Sequence, residues 1–175
     1  VVGTLALIWR RQRKGLVWIA LLYSFVALDL LALRHYVTSV EPQRLIVHRV
    51  RLQTPKLTKP VRLLHISDIQ SGGITDYEAA IFAQIQALEP DLILNTGDFL
   101  QVVPPATFAS ELPKLLTLIR AANPRLGTYG VFGDTERELY GIPADQLVPL
   151  TMLSSRSAQI DTGGGMIHLH GLSLY

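Results

Sequence analysis

The chain has 175 residues, of which 49% are apolar and 17% charged, with a formal net charge of +2 and no cysteine. That length is enough for one domain with a sizeable core. The missing cysteines exclude a disulfide framework and any thiolate metal site, and the small net charge argues for a membrane surface over nucleic acid as a partner. Mean hydropathy is high, at +0.29, and the excess lies before Arg34. The chain begins with Val, and His168–Tyr175 still reads as strand, so we read it as a piece of a longer protein.

Residues 15–33, GLVWIALLYSFVALDLLAL, have the length and composition of a transmembrane helix, with one charge, Asp29, near the end. Asp29 is close enough to that end to reach the interface. The basic run Arg10–Lys14 precedes the helix, and residues 1–9 read as the end of an earlier crossing helix. The expected arrangement is a helical hairpin with a short basic loop. The positive-inside rule puts that loop in the cytoplasm and everything after Leu33 outside it, although Arg34, Arg44, Arg49 and Arg51 dilute the asymmetry. A signal peptide is the competing reading. The long apolar run without a small-residue cleavage site favours an uncleaved anchor in the cell membrane, and the lack of a polar face disfavours a buried core helix.

Residues 34–43 read as a juxtamembrane linker, and residues 44–175 as one α/β domain. Arg44–Leu52 alternates and is rich in β-branched residues, which predicts an edge strand. Val61–Ser67 is nearly all apolar and predicts a strand buried on both faces. Thr75-Asp76-Tyr77-Glu78 is a capping box opening a helix to Leu88. Asp91–Asn95 is a second buried strand. Leu112, Leu115, Leu116 and Ile119 mark a second helix ending near Asn123-Pro124. Thr128–Phe132 is a third strand, Ala144–Met152 a short helix, and Ala158–Asp161 and Met166–Leu169 two closing strands. Strand–helix–strand–helix–strand predicts a parallel sheet flanked by helices.

Three successive strands end in an aspartate: Asp68, Asp98 and Asp134. In an open α/β sheet, ligands bind beyond the carboxyl ends of the strands, so parallel strands would gather these carboxylates at one rim. Gathered carboxylates repel unless cations sit among them. Hard oxygen ligands suit Mn, Mg or Fe, and histidine would add Zn or Fe. Gly72, Gly73, Gly97 and Gly133 adjoin the carboxylates, where a backbone must turn sharply or let a ligand approach. Taken singly, each Asp has a plainer reading as a helix cap or turn residue. His168 and His170 share a strand face but read as structural, and His65 reads as packed against the sheet.

The segments SDIQSGG, NTGDFL and GVFGDTE resemble the successive motifs of the calcineurin-like metallophosphoesterase superfamily, and within it the bacterial membrane-anchored branch. The resemblance covers Arg44–Tyr175. It implies a layered sheet flanked by helices, holding two divalent ions (Mn, Fe, Zn or Mg) that activate water to hydrolyse a phosphomonoester or phosphodiester. By position it makes Asp68 the first metal ligand, Asp98 the bridging carboxylate and Asp134 a ligand in place of Asn. Glu136 is the closing acidic residue. Gln70 stands where the family has a ligand His, and its amide oxygen can still bind a hard cation. Thr135 stands where the family has the His that assists the leaving group, and a hydroxyl cannot carry a proton near neutral pH as imidazole does. A substrate with a lipid-linked phosphate fits a membrane-anchored domain. The alternative is a tethered binding or sensing module that keeps the fold with little or no turnover.

Overall fold

The computed structural model describes residues 2–172, with the backbone alone for residues 2–14 and 43. Of the strand-like ending His168–Tyr175, residues 173–175 lie outside the described residues. The chain divides into two compact units, with the boundary between Arg49 and Val50.

The first unit is dominated by α1, Val2–His35, which continues through a π turn at Tyr36–Val40 and a 3-10 turn at Glu41–Gln43. Arg10–Lys14 is helical, so the expected loop of a hairpin does not form there. Arg, Gln and Lys are good helix formers, and the run holds neither Gly nor Pro. Gly15–Val40 is one helical stretch of 26 residues, long and apolar enough to cross a membrane. At about 1.5 Å per residue it spans about 39 Å, against a hydrocarbon core of about 30 Å. Its large apolar side chains, among them Leu16, Trp18, Leu22, Phe25 and Leu30, are all exposed.

The predicted strand Arg44–Leu52 is absent: this segment joins no ladder among the described residues. Alternation makes a strand only where a neighbour completes the backbone hydrogen bonds, and no neighbour is present here.

The second unit is α/β. Four strands, β1 Leu63–Ile66, β2 Leu92–Asn95, β3 Thr128–Gly130 and β4 Leu150–Met152, form a parallel sheet in chain order. Two helices, α2 Asp76–Ala87 and α3 Phe108–Ala122, make the first two crossovers. Both follow from capped, amphipathic sequence. Thr75 and Glu78 form the expected capping box of α2, and Thr107 with Ser110 forms one at α3. Ile81, Phe82 and Ile85 of α2 join Leu112, Leu115, Leu116 and Ile119 of α3 in a core with Ile93 and Leu150 of the sheet.

Two strand readings change. β1 is an edge strand, not one buried on both faces: Leu64 and Ile66 pack on the core, while Leu63 is 46% exposed and His65 is exposed. The predicted helix Ala144–Met152 is a single 3-10 turn, Ala144–Leu147, followed by β4, which pairs with β3. Pro149 lacks a donor and disfavours a helical Val148, so the helix stops and the apolar residues beyond it join the sheet. The last two strands, β5 Ser157–Asp161 and β6 Met166–His170, form a separate antiparallel hairpin.

Glu111 ties α3 to the loop after β1. Its carboxylate accepts from Lys114 Nζ at 2.8 Å, from the Ile74 N–H at 2.8 Å and from Ser110 Oγ at 2.9 Å. The Lys114 hydrogen bond, then the Ile74 and Ser110 donors, hold it at about 2 against an ordinary 4.5. A carboxyl depressed in the folded state stabilises above its unfolded pKa, and that stabilisation is lost as pH falls towards the folded value. Glu111→Gln should therefore lower the melting temperature at pH 7. The gap to the parent should close between pH 4.5 and pH 2; a gap constant over that range would show that ionisation plays no part.

Candidate functional site

The rim of the sheet is built by the segments that leave β1, β2 and β3. After their ladder ends, the chains beyond β1 and β2 stay side by side. Asp68 N–H donates to the Gly97 carbonyl at 3.2 Å and Gln70 N–H to the Asp98 carbonyl at 2.7 Å, and Ser71 bridges Leu100. The backbone of Asp68 and Gln70 is thereby held against that of Asp98.

This juxtaposition needs unusual backbone angles. Asp68, Gln70 and Asp98 have φ of 55°, 45° and 54°. Six non-glycine residues have positive φ among those described, and three of them are these candidate ligands. Such conformations cost an L-residue about 1–3 kcal/mol each and tend to collect at functional sites. Asp tolerates the left-handed region better than most residues, while Gln has no such excuse.

Two glycines let the β2 and β3 loops touch. Gly97 has φ of 100°, and a Cβ there would lie 2.4 Å from the Gly133 nitrogen. A Cβ on Gly133 would lie 2.1 Å from Asp98 Oδ1. Any side chain at either position would push the two loops apart.

Glu136 clasps these loops together, and it is fully buried, at 0% exposure. Its Oε1 accepts from the Phe99 N–H at 2.5 Å and the Leu100 N–H at 3.1 Å. Its Oε2 accepts from the Gly133 N–H at 2.8 Å and the Asp98 N–H at 3.1 Å. Thr135 then orients Asp98: its N–H and hydroxyl lie 3.2 and 3.0 Å from Asp98 Oδ1. The same hydroxyl lies 3.1 Å from Glu136 Oε1. Tyr140 braces the loop, donating its phenol to the Gly133 carbonyl at 3.0 Å and packing its ring against that of Phe132 at a tilt of 48°, with centroids 5.1 Å apart.

The side chains of Asp68, Gln70 and Asp134 are exposed and have no hydrogen-bond partner among the described residues, whereas Asp98 is half-buried. No group of three or more His, Cys, Asp or Glu among the described residues is placed to hold a metal ion. The amide of Gln70 falls outside that count. The available donors are Asp98 Oδ2, the carboxylates of Asp68 and Asp134 and the Gln70 amide, all hard oxygens of the kind that suits Mg²⁺ or Mn²⁺.

His65, His168 and His170 make no hydrogen bond to a candidate ligand among the described residues. His65 lies on the open face of β1, not packed on the sheet core, with Nε2 2.9 Å from Thr96 Oγ1. His168 is exposed opposite Gln159, and His170 Nδ1 meets Ser157 Oγ at 2.8 Å. The residue whose part sequence reasoning missed is Glu136, assigned only as a motif's closing acid. Its one sequence signal was an acidic residue two positions after Gly133-Asp134, beyond the end of the third strand.

No protein-family model matches the chain, and no curated protein matches it.

Replacing Glu136 with Gln puts an amide donor against two backbone N–H groups and leaves them unpaired. Glu136→Gln should cost about 2–5 kcal/mol and speed amide exchange at Asp98, Phe99, Leu100 and Gly133. Unchanged protection at those four amides would show that the clasp is not what holds the loops.

Proposed function

We propose that the second unit is a metallophosphoesterase-type domain that hydrolyses a phosphomonoester or phosphodiester with the help of divalent cations. One observation carries this reading. Two adjacent strand ends, those of β1 and β2, deliver Asp68, Gln70 and Asp98 at one rim in strained backbone, with the side chains of Asp68 and Gln70 unpaired among the described residues and Asp98 tied at Oδ1 by Thr135. A fold that holds Asp68 and Gln70 in costly conformations without pairing their side chains internally is best explained by an external partner. Asp68, Gln70, Asp98 and Asp134 would hold the cations. When bound, such cations supply Lewis acidity towards a phosphoryl oxygen and acidify water.

Thr135 has a different task from a histidine at that place. Its hydroxyl is spent on Asp98, so it fixes the carboxylate and leaves the leaving group without a protonated neighbour. General acid catalysis is typically worth about 10²–10⁴-fold. The domain should therefore favour esters whose leaving group departs as a stable anion. The same observation supports a second reading, a tethered module that binds a metal and a phosphate without turning the ester over.

We also infer that α1 anchors the domain in a membrane, with the second unit outside the cytoplasm. The length and unbroken apolar surface of Gly15–Val40 support the anchor. If so, the full chain should sediment with membranes and resist alkaline carbonate extraction, whereas a cleaved leader would leave the domain free in the supernatant.

The purified full chain with Mn²⁺ should hydrolyse nitrophenyl phosphate and act far more slowly on an alkyl phosphate. Asp98→Asn should abolish turnover, and Thr135→His should narrow the gap between the two esters. Metal binding without turnover of either ester would select the module, and full activity in Asp98→Asn would overturn the enzyme.

A further inference from the structure

Charge is divided unevenly along the chain. Residues 44–62 hold six Lys or Arg and no Asp or Glu. Residues 63–175 hold five Lys or Arg and twelve Asp or Glu, a net charge of −7. The net charge of +2 for the whole chain therefore conceals an acidic domain that follows a basic flank.

The part of that flank within the second unit, residues 50–62, belongs to no helix or strand. It is nevertheless fixed to the domain. The Thr58 N–H and hydroxyl both donate to the Gly164 carbonyl, at 2.8 and 3.0 Å. Glycines of the β5–β6 turn make room for this contact: a Cβ on Gly164 would lie 2.9 Å from the Lys59 nitrogen, and one on Gly165 would strike the Lys56 carbonyl. Gly163-Gly164-Gly165 is thus the seat on which Lys56–Lys59 rests. Arg62 is turned to the domain as well, donating to the Leu88 and Glu89 carbonyls at 2.6 and 3.2 Å. Arg51, Lys56 and Lys59 are different. They are exposed and form no ion pair among the described residues. Beside Arg51, Val50 and Leu52 are 80% and 86% exposed, more than any other large apolar side chain among the described residues.

Free cations and bare aliphatic side chains on one short segment narrow the choice of partner. A nucleic acid or an acidic protein face would satisfy the cations and leave Val50 and Leu52 in water. An anionic bilayer satisfies both, with charge at headgroup level and hydrocarbon beneath it. Long basic side chains suit that boundary, because their stems lie along apolar surface while their heads stay in the polar layer. Chain connectivity agrees: Val50 comes ten residues after Val40, the end of the stretch able to cross a membrane. We propose that residues 50–59 form a contact for anionic phospholipid, with Arg51, Lys56 and Lys59 on the headgroups and Val50 and Leu52 at the acyl boundary. The proposal rests on the anchor reading of α1 for bringing the segment to a bilayer, and on the segment's own residues for the lipid it prefers. Each Lys or Arg at an anionic surface strengthens binding about fivefold, so the three together give about a hundredfold preference over a neutral bilayer.

The chain has no cysteine, so Gln53→Cys, at an exposed position beside Leu52, gives a single place for a nitrobenzoxadiazole fluorophore. The labelled full chain is reconstituted in nanodiscs of phosphatidylcholine, or of phosphatidylcholine mixed with phosphatidylglycerol. Emission from position 53 should shift to the blue and brighten in the phosphatidylglycerol discs alone. It should return to its aqueous value in molar salt, which screens exposed charges, and in the triple variant Arg51→Gln, Lys56→Gln, Lys59→Gln. The same label at Ala121→Cys, exposed on α3, should not distinguish the two discs. Equal emission from position 53 in both discs, or a blue shift that survives the triple variant, would overturn the proposal. A shift in phosphatidylcholine discs that grows with protein concentration would also overturn it, by assigning the segment to the acidic domain of a second copy. Failure of the chain to stay with phosphatidylcholine discs would refute the anchor instead. Flotation with phosphatidylglycerol liposomes then decides: flotation lost in the triple variant would uphold the lipid contact without the anchor, and flotation unchanged by it, or none in the parent, would overturn the contact.

Discussion

The candidate site depends on a buried carboxylate, Glu136, for which backbone N–H groups supply the solvation. Removing an ion from water costs several kcal/mol even after the protein relaxes. Glu136 recovers that cost from four backbone N–H groups, two on each oxygen. These donors belong to two different loops, so the same bonds that solvate the charge also fasten the β2 and β3 ends together. The arrangement works in one direction only. A neutral side chain of equal shape would leave the donors unpaired, and a smaller one would leave a cavity as well.

Once the loops are fastened, Thr135 has little freedom. Its hydroxyl carries one hydrogen and lies within reach of two carboxylates, Asp98 and Glu136. Glu136 already has four N–H donors, whereas Asp98 Oδ1 has only the Thr135 N–H. The better electrostatic choice for the hydroxyl is therefore Asp98. That choice points Oδ2 away from the loop, and the close approach of Gly133 walls in Oδ1. Order thus passes from a buried charge, through a hydroxyl, to a carboxylate at the rim.

Much of this was legible in the sequence, for local reasons. The capping box at Thr75, the helical spacing of Leu112, Leu115, Leu116 and Ile119, and the glycines beside the aspartates each reflect nearest-neighbour physics, and each appears where expected. The misreadings were of features decided at a distance. Arg44–Leu52 alternates as a strand should but has no neighbour to pair with. Leu150–Met152 reads as the end of a helix, yet Pro149 stops that helix and β3 offers a free edge. Burial on both faces of Val61–Ser67 depended on a layer packed over the face that carries Leu63 and His65, and both are exposed. The part played by Glu136 was illegible for the same reason, because burial of a charged residue is set by tertiary donors that no local pattern encodes.

Gln70 and Thr135 act in the same chemical direction. Each puts an oxygen-bearing group that does not titrate between pH 5 and 8 where the resemblance to metallophosphoesterase motifs would call for an imidazole. The rim donors on this chain are then carboxylates, an amide and a hydroxyl, with no nitrogen ligand among Asp68, Gln70, Asp98 and Asp134. Oxygen-only sets favour hard cations such as Mg²⁺ and Mn²⁺, and they lose the preference that imidazole gives Zn²⁺. A site of this composition would take its proton chemistry from water and substrate rather than from a side chain. The protein's own contribution would be position and charge, which are the two properties that the Glu136 clasp and the Thr135 hydrogen bond control.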